Sequence, residues 1–151
     1  MENRYETFTM LINHISRNIH RIKTREMSEF GLRGTHVSCL YHLYLSDGLT
    51  ASVLSEKCAE DKGAISRAVD QLEEEGYINR QNTSPKRYNT PLTLTEKGKE
   101  TGRRIAEKID RVLDEIGEGM TATQREEMYR HLSIVNEALE RIANRSKREE
   151  P

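Results

Sequence analysis

Lys62, Gly63, Ser66 and Arg67 recur at spacings that place them along one side of a helix, with Ala64 beside them. Two cations, a hydroxyl and two very small side chains suit a surface that approaches an anionic, hydrogen-bonding partner closely. An arginine at such a place can bond guanine N7 and O6 or a phosphate. Ser66 can bond bases or backbone, and Ala64 can meet a thymine methyl. The front turns of a groove-reading helix go deepest, so short or cationic residues belong there. Asp70 and Gln71 lie further along the same outer face. A solvated helix face has a similar composition, so this face alone decides nothing.

A second cationic pair, Lys86-Arg87, lies in the polar stretch 82–90, which is rich in turn-forming residues. Cations at a hairpin tip can enter a minor groove or clamp phosphates. The alternative is a loop kept soluble by charge. Following directly on the Lys62–Arg67 face, the pair makes a more specific combination than either part.

Other chemistry finds less support. The chain shows no Ser/His/Asp grouping, nucleotide-binding glycine loop or metal dyad, so no enzyme is expected. Cys39 and Cys58 fall in separate helical patterns and are expected to be packing residues, because reactivity needs access and a lowered thiol pKa. His14 and His20, like His36 and His42, are six apart and share a helix face poorly. With His131 they are expected at the surface or at caps, and no metal or cofactor is expected.

The elements that must position these residues follow from apolar spacing. Tyr5, Phe8, Ile12, Ile15, Ile19 and Ile22 form a narrow helical stripe, with Gly31 as the expected stop. Val37, Leu40, Tyr41 and Tyr44 mark a second helix that ends at Asp47-Gly48. Thr50 is a good N-cap for a short helix burying Ala51, Leu54 and Cys58. Ile65, Ala68, Val69 and Leu72 form the inner face of the helix from Lys62 to Glu75, which stops at Gly76. Two helices in series make a helix-turn-helix. Alternating runs at 77–81 and 91–94 then predict a β-hairpin, a wing, around the Lys86-Arg87 tip.

Beyond Thr95 the pattern is helical again, with Ile105, Ile109, Val112, Leu113 and Ile116 in one stripe. Gly117 and Gly119 interrupt it, and Thr121-Ala122-Thr123-Gln124 matches a capping box. Met128, Leu132, Val135, Leu139 and Ile142 mark the last helix, before a charged tail from Asn144 to Pro151 that is expected to fray. The fold class is mainly α (α+β), a winged helix-turn-helix with long terminal helices. Its stripes at both ends are too narrow for a monomeric core, so a homodimer is expected to bury them.

Composition agrees. Apolar residues make up 34% of the 151 and charged residues 32%, so apolar side chains must be concentrated on narrow faces. The formal net charge of −1 gives no global pull toward nucleic acid or membrane, and any such binding must come from a local patch. Two cysteines build no disulfide framework. Met1-Glu2-Asn3-Arg4 lacks the layout of a signal peptide, and no run reaches membrane-spanning length. A cytoplasmic chain is expected.

The stretch Leu49-Thr50, Leu54 and Asp61 to Ile78, with Leu92-Thr93-Leu94-Thr95-Glu96-Lys97-Gly98 at the return from the wing, closely resembles the MarR family of bacterial regulators. The flanking helices match in order and length, so the resemblance covers nearly the whole chain. It implies a triangular two-fold dimer that binds double-stranded DNA at a pseudopalindromic operator. Such proteins usually repress nearby genes and release DNA when a small molecule, often phenolic, or an oxidant or metal alters lobe spacing. By this resemblance Thr50 and Ser52 lie near phosphate. Lys62, Gly63, Ala64, Ser66 and Arg67 face the major groove, and Lys86 and Arg87 belong to the minor-groove wing.

The chain departs from the family twice. Gly63 and Ala64 stand where hydroxyl residues are common. The wing's usual Asp and, two residues on, Arg are replaced by Lys86 and Tyr88, with Arg87 between them. By the same analogy, Arg17, Arg21 and Tyr41 supply a cation and an aromatic wall for an aromatic effector. The expected segments are 1–31 for dimerisation, 32–95 for the winged lobe and 96–151 for dimerisation again. Two rivals stand beside a DNA-binding repressor: a winged helix that binds another protein, and a redox- or metal-responsive regulator.

Overall fold

The computed structural model describes residues 3–81 and 89–145. They form α1 (Arg4–Glu26), α2 (Gly34–Leu45), α3 (Ala51–Cys58), α4 (Lys62–Glu74), β1 (Ile78–Arg80), β2 (Leu92–Leu94), α5 (Glu96–Gly117) and α6 (Ala122–Arg145). This is a mainly helical winged helix-turn-helix with one small antiparallel sheet, the fold class its periodicity predicts. The described residues divide into two compact units after Ile109, and α5 runs across the division.

The first unit holds the core. Val37, Cys39, Leu40 and Leu43 of α2 meet Ala51 and Leu54 of α3 and the predicted quartet Ile65, Ala68, Val69 and Leu72 of α4. Met27, Ile78, Leu92, Leu94 and Ile105 complete the cluster. Each fully buried Val, Leu or Ile among them contributes about 1.5–3 kcal/mol of transfer free energy, and the alanines less. The pairing Ile78↔Leu94, Asn79↔Thr93 and Arg80↔Leu92 puts Ile78 and both leucines on the buried face. β2 also bonds on its other edge: the Leu92 N–H donates to the Leu49 carbonyl (2.9 Å) and the Gly48 N–H to the Leu92 carbonyl (3.1 Å). Asp47-Gly48 is therefore more than a turn, since it leads the chain alongside the wing.

Several expectations need correction. α1 stops at Glu26, and a single 3-10 turn from Ser28 to Phe30 intervenes before Gly31, whose φ of 64° ends that turn instead. α2 buries a broader face than predicted, including Cys39 and Leu43, while Tyr44 turns outward. His36, expected at the surface or a cap, is 5% exposed. The strands are three residues each, shorter than the alternating runs at 77–81 and 91–94.

α5 is locked to the preceding turn by its own N-cap. The Thr95 hydroxyl donates to the Gly76 carbonyl (2.7 Å) and accepts from the Gly98 N–H (3.1 Å). Lys97 caps the C-terminal end of α4 by donating to the Glu75 carbonyl (2.7 Å), and its ammonium lies 4.1 Å from the Tyr77 ring centroid. In the second unit the capping box forms as predicted: the Thr121 N–H donates to Gln124 Oε1 (2.8 Å) and the Gln124 N–H to Thr121 Oγ1 (3.2 Å). α1 and α6 have no fully buried residue. Tyr5, Ile15, Ile19, Leu132, Leu139 and Ile142 all remain exposed, as the narrow stripes imply.

Candidate nucleic-acid interface

α4 begins where Asp61 turns the chain into helix. Its carboxylate accepts from the Ala64 N–H at 2.8 Å, satisfying one of the donors that a helix start leaves open. The inner quartet is buried to 4% exposure or less, which fixes the rotation of the helix and leaves the opposite face outward. Lys62, Gly63, Ser66 and Arg67 are exposed on that face and Ala64 is half-buried beside them. The structure therefore brings together all five α4 candidates on the front two turns.

Arg67 folds toward the helix start. A β-carbon at Gly63 would lie 3.3 Å from its Nη1 and 3.1 Å from the Asp61 carboxylate, so glycine leaves room for the guanidinium there. Among the described residues Arg67 has no ion-pair partner. The front of α4 is thus small and cationic, and its rear carries Asp70, Glu73 and Glu74.

α3 packs against α4 and contributes Thr50 and Ser52 at its first turn, both half-buried. Thr50 is the N-cap, its hydroxyl oxygen accepting from the Val53 N–H at 3.3 Å. The O–H of the same group remains a donor for an external acceptor. Lys86 and Arg87 of the wing tip lie outside the described residues.

The root of the wing holds what the sequence analysis missed. Arg80 of β1 is an ion-pair partner of both Asp70 and Glu73 on α4, the latter at 3.1 Å from its Nε. Its side chain is only 11% exposed. A signal was present: strand side chains alternate, so Arg80 must share the inward face of Ile78, and an inward arginine requires carboxylates nearby.

The effector candidates are not gathered. Arg17 and Arg21 are exposed on α1, whereas Tyr41 is half-buried on α2 and meets His42 edge-on at 5.3 Å. No hydrogen bond or ring contact joins them among the described residues. The two cysteines, by contrast, are neighbours. Hydrogen bonding with Cys58, then burial, pushes the Cys39 thiol up, and the same bond lowers Cys58. Among the described residues no three His, Cys, Asp or Glu side chains group as metal ligands.

Residues 30–87, which contain α2, α3, α4 and β1, match the family model of the MarR family. The crystal structure of a MarR transcriptional regulator from Methanosarcina mazei Go1 is 26% identical over 91% of this chain and 92% of that one, with a TM-score of 0.76. Residues 30–87 thus carry the pattern of the MarR family, and over nearly its whole length the chain is similar to a MarR transcriptional regulator. Two further structures resemble this chain in fold. NMB1585, a MarR family regulator from Neisseria meningitidis, has a TM-score of 0.83 at 20% identity, covering 95% of this chain and 99% of that one. A MarR family transcriptional regulator from Listeria monocytogenes, solved complexed with 26mer DNA, has a TM-score of 0.82 at 22% identity, covering 95% of each. No described helix of the chain is long and apolar enough to cross a membrane.

Proposed function

We propose that the chain binds double-stranded DNA as a cytoplasmic homodimer and represses transcription until a small aromatic molecule releases it. The observation that carries the reading is the front of α4: Lys62, Gly63, Ser66 and Arg67 stand exposed while the inner face is wholly buried. In this reading α4 enters the major groove with Ala64 alongside, Thr50 and Ser52 meet phosphate, and Lys86 and Arg87 reach the minor groove. The Listeria monocytogenes protein of the same fold, complexed with DNA, supports it. Segments 1–31 and 96–151 pair with a second copy, which would cover the exposed stripes of α1 and α6. The operator is then an inverted repeat with half-sites roughly 10 bp apart. Arg17, Arg21 and Tyr41 are the effector-binding candidates.

A duplex-binding titration over salt concentration tests this. Each phosphate contact releases counterions, so log affinity should fall linearly with log salt, at about 0.9 per contact. A second reading, a winged helix that docks on a protein, draws on the net charge of −1 and the acidic rear of α4. That reading takes over if no duplex binds at low ionic strength. Adding a phenolic acid to the complex tests release, and unchanged affinity at saturating acid would count against it.

A further inference from the structure

The outer face of α4 carries charges of both signs in succession. Arg67 lies three residues before Asp70, a spacing at which helix side chains form ion pairs. Left alone, Asp70 and Arg67 would neutralise each other, and the front of the helix would lose its arginine. In the structure Arg67 instead folds forward over Gly63, and Asp70 is engaged from behind by Arg80. Arg80 also lies within ion-pair distance of Glu73, although its Nε makes no directed hydrogen bond there, so one guanidinium faces two carboxylates on successive turns. The hydrogen bond goes to Asp70, and the charge serves both.

Arg80 is also covalently part of β1, where it pairs with Leu92. The same contact therefore ties the root of the wing to the middle of α4. At 11% exposure the side chain is shielded from water, so its ion pairs are screened less than those of a surface arginine.

We propose that Arg80 is a positioning residue for DNA reading: it holds Asp70 and Glu73 so that Arg67 stays free to face the groove, and it sets the wing against α4. This rests on the DNA-binding reading above. It places the division of labour within the chain: Arg67 touches the nucleic acid and Arg80 keeps it available.

The test uses the full chain and a duplex selected by the wild-type protein from a randomised pool. Arg80→Met should weaken binding at least 10-fold. Adding Asp70→Asn to that variant should recover at least half of the loss on a logarithmic scale, because the competing carboxylate is gone. Arg67→Ala should cost far less in the Arg80→Met background than in the wild type, the non-additivity expected of coupled residues. Thermal midpoints of Arg80→Met with and without Asp70→Asn should agree, so the recovery is not refolding. A merely structural role would give no rescue by Asp70→Asn and an undiminished effect of Arg67→Ala, and either result overturns the proposal, as does wild-type affinity in Arg80→Met. If Arg80→Met fails to fold, Arg80→Lys replaces it, with a smaller loss and the same rescue expected. Failure of the wild-type chain to bind any duplex would instead remove the DNA reading underneath.

Discussion

A β-carbon placed on Gly98 would overlap the carbonyl oxygen of Tyr77. The first turn of α5 thus packs directly on the backbone that leaves α4, and Thr95 and Lys97 bond the same turn. Residues Leu94 to Gly98 thereby serve as a latch between helix and wing.

Gly98→Ala should therefore destabilise the fold, because backbone must move to admit the methyl group. The expected loss is about 1–3 kcal/mol, as for overpacking elsewhere. Chemical denaturation measures it, and unchanged stability would mean that the helix and turn separate easily.

Arg67→Ala should cost about 1–3 kcal/mol against a selected operator if the side chain reads a base. The loss should concentrate on sequences carrying the contacted base. Equal affinity for that operator, measured by fluorescence anisotropy, would exclude the role. Arg87→Ala should instead weaken all duplexes similarly.

Asp61→Asn should strengthen duplex binding at low salt. Asparagine caps a helix about as well as aspartate, so the start of α4 persists while a negative charge leaves its front. The gain should shrink as salt rises, since exposed charges are screened over about 10 Å at 0.1 M. A gain that is independent of salt would contradict the electrostatic cause.

Acid should loosen the first unit. Neither ring nitrogen of His36 has a hydrogen-bond partner among the described residues. Burial holds its pKa below 6.5, helped by Arg33 and opposed by Gln71 and Glu75. Burial likewise lowers His42, with Lys57 and Lys23 adding to it. An unfolded chain takes up these protons first, so stability should fall as pH drops through 6.5 toward the lower folded values. Urea denaturation at pH 7.5 and 5.5 measures this fall, and His36→Leu should reduce it. An equal fall in that variant would shift the cause to His42 or the carboxylates.

Leu132→Lys with Leu139→Lys should abolish dimerisation. Both side chains are nearly half exposed on α6, at 45% and 46%, and burying two charges in an apolar interface without partners is costly. On the proposed homodimer, sedimentation should show a pair for the wild type and a single chain for the variant, and operator affinity should drop with it. A wild-type-sized particle would place the interface elsewhere.

Much of this was legible before any fold was known, because it depends on neighbours in sequence. The quartet Ile65, Ala68, Val69 and Leu72 announces its helix by spacing alone. Thr50 and the Thr121–Gln124 box act within one turn, and so does the small, cationic front of α4. What spacing could not supply is contact across distance. The pairing of Arg80 with Asp70 and Glu73, the overlap that keeps residue 98 a glycine, the Leu49–Leu92 backbone bond and the meeting of Cys39 with Cys58 each join separate elements. Periodicity reports which face of an element is apolar; which partner covers that face depends on how the elements pack. The same reason accounts for His36, whose burial follows from the docking of α2 on α4 and from nothing in its own neighbourhood.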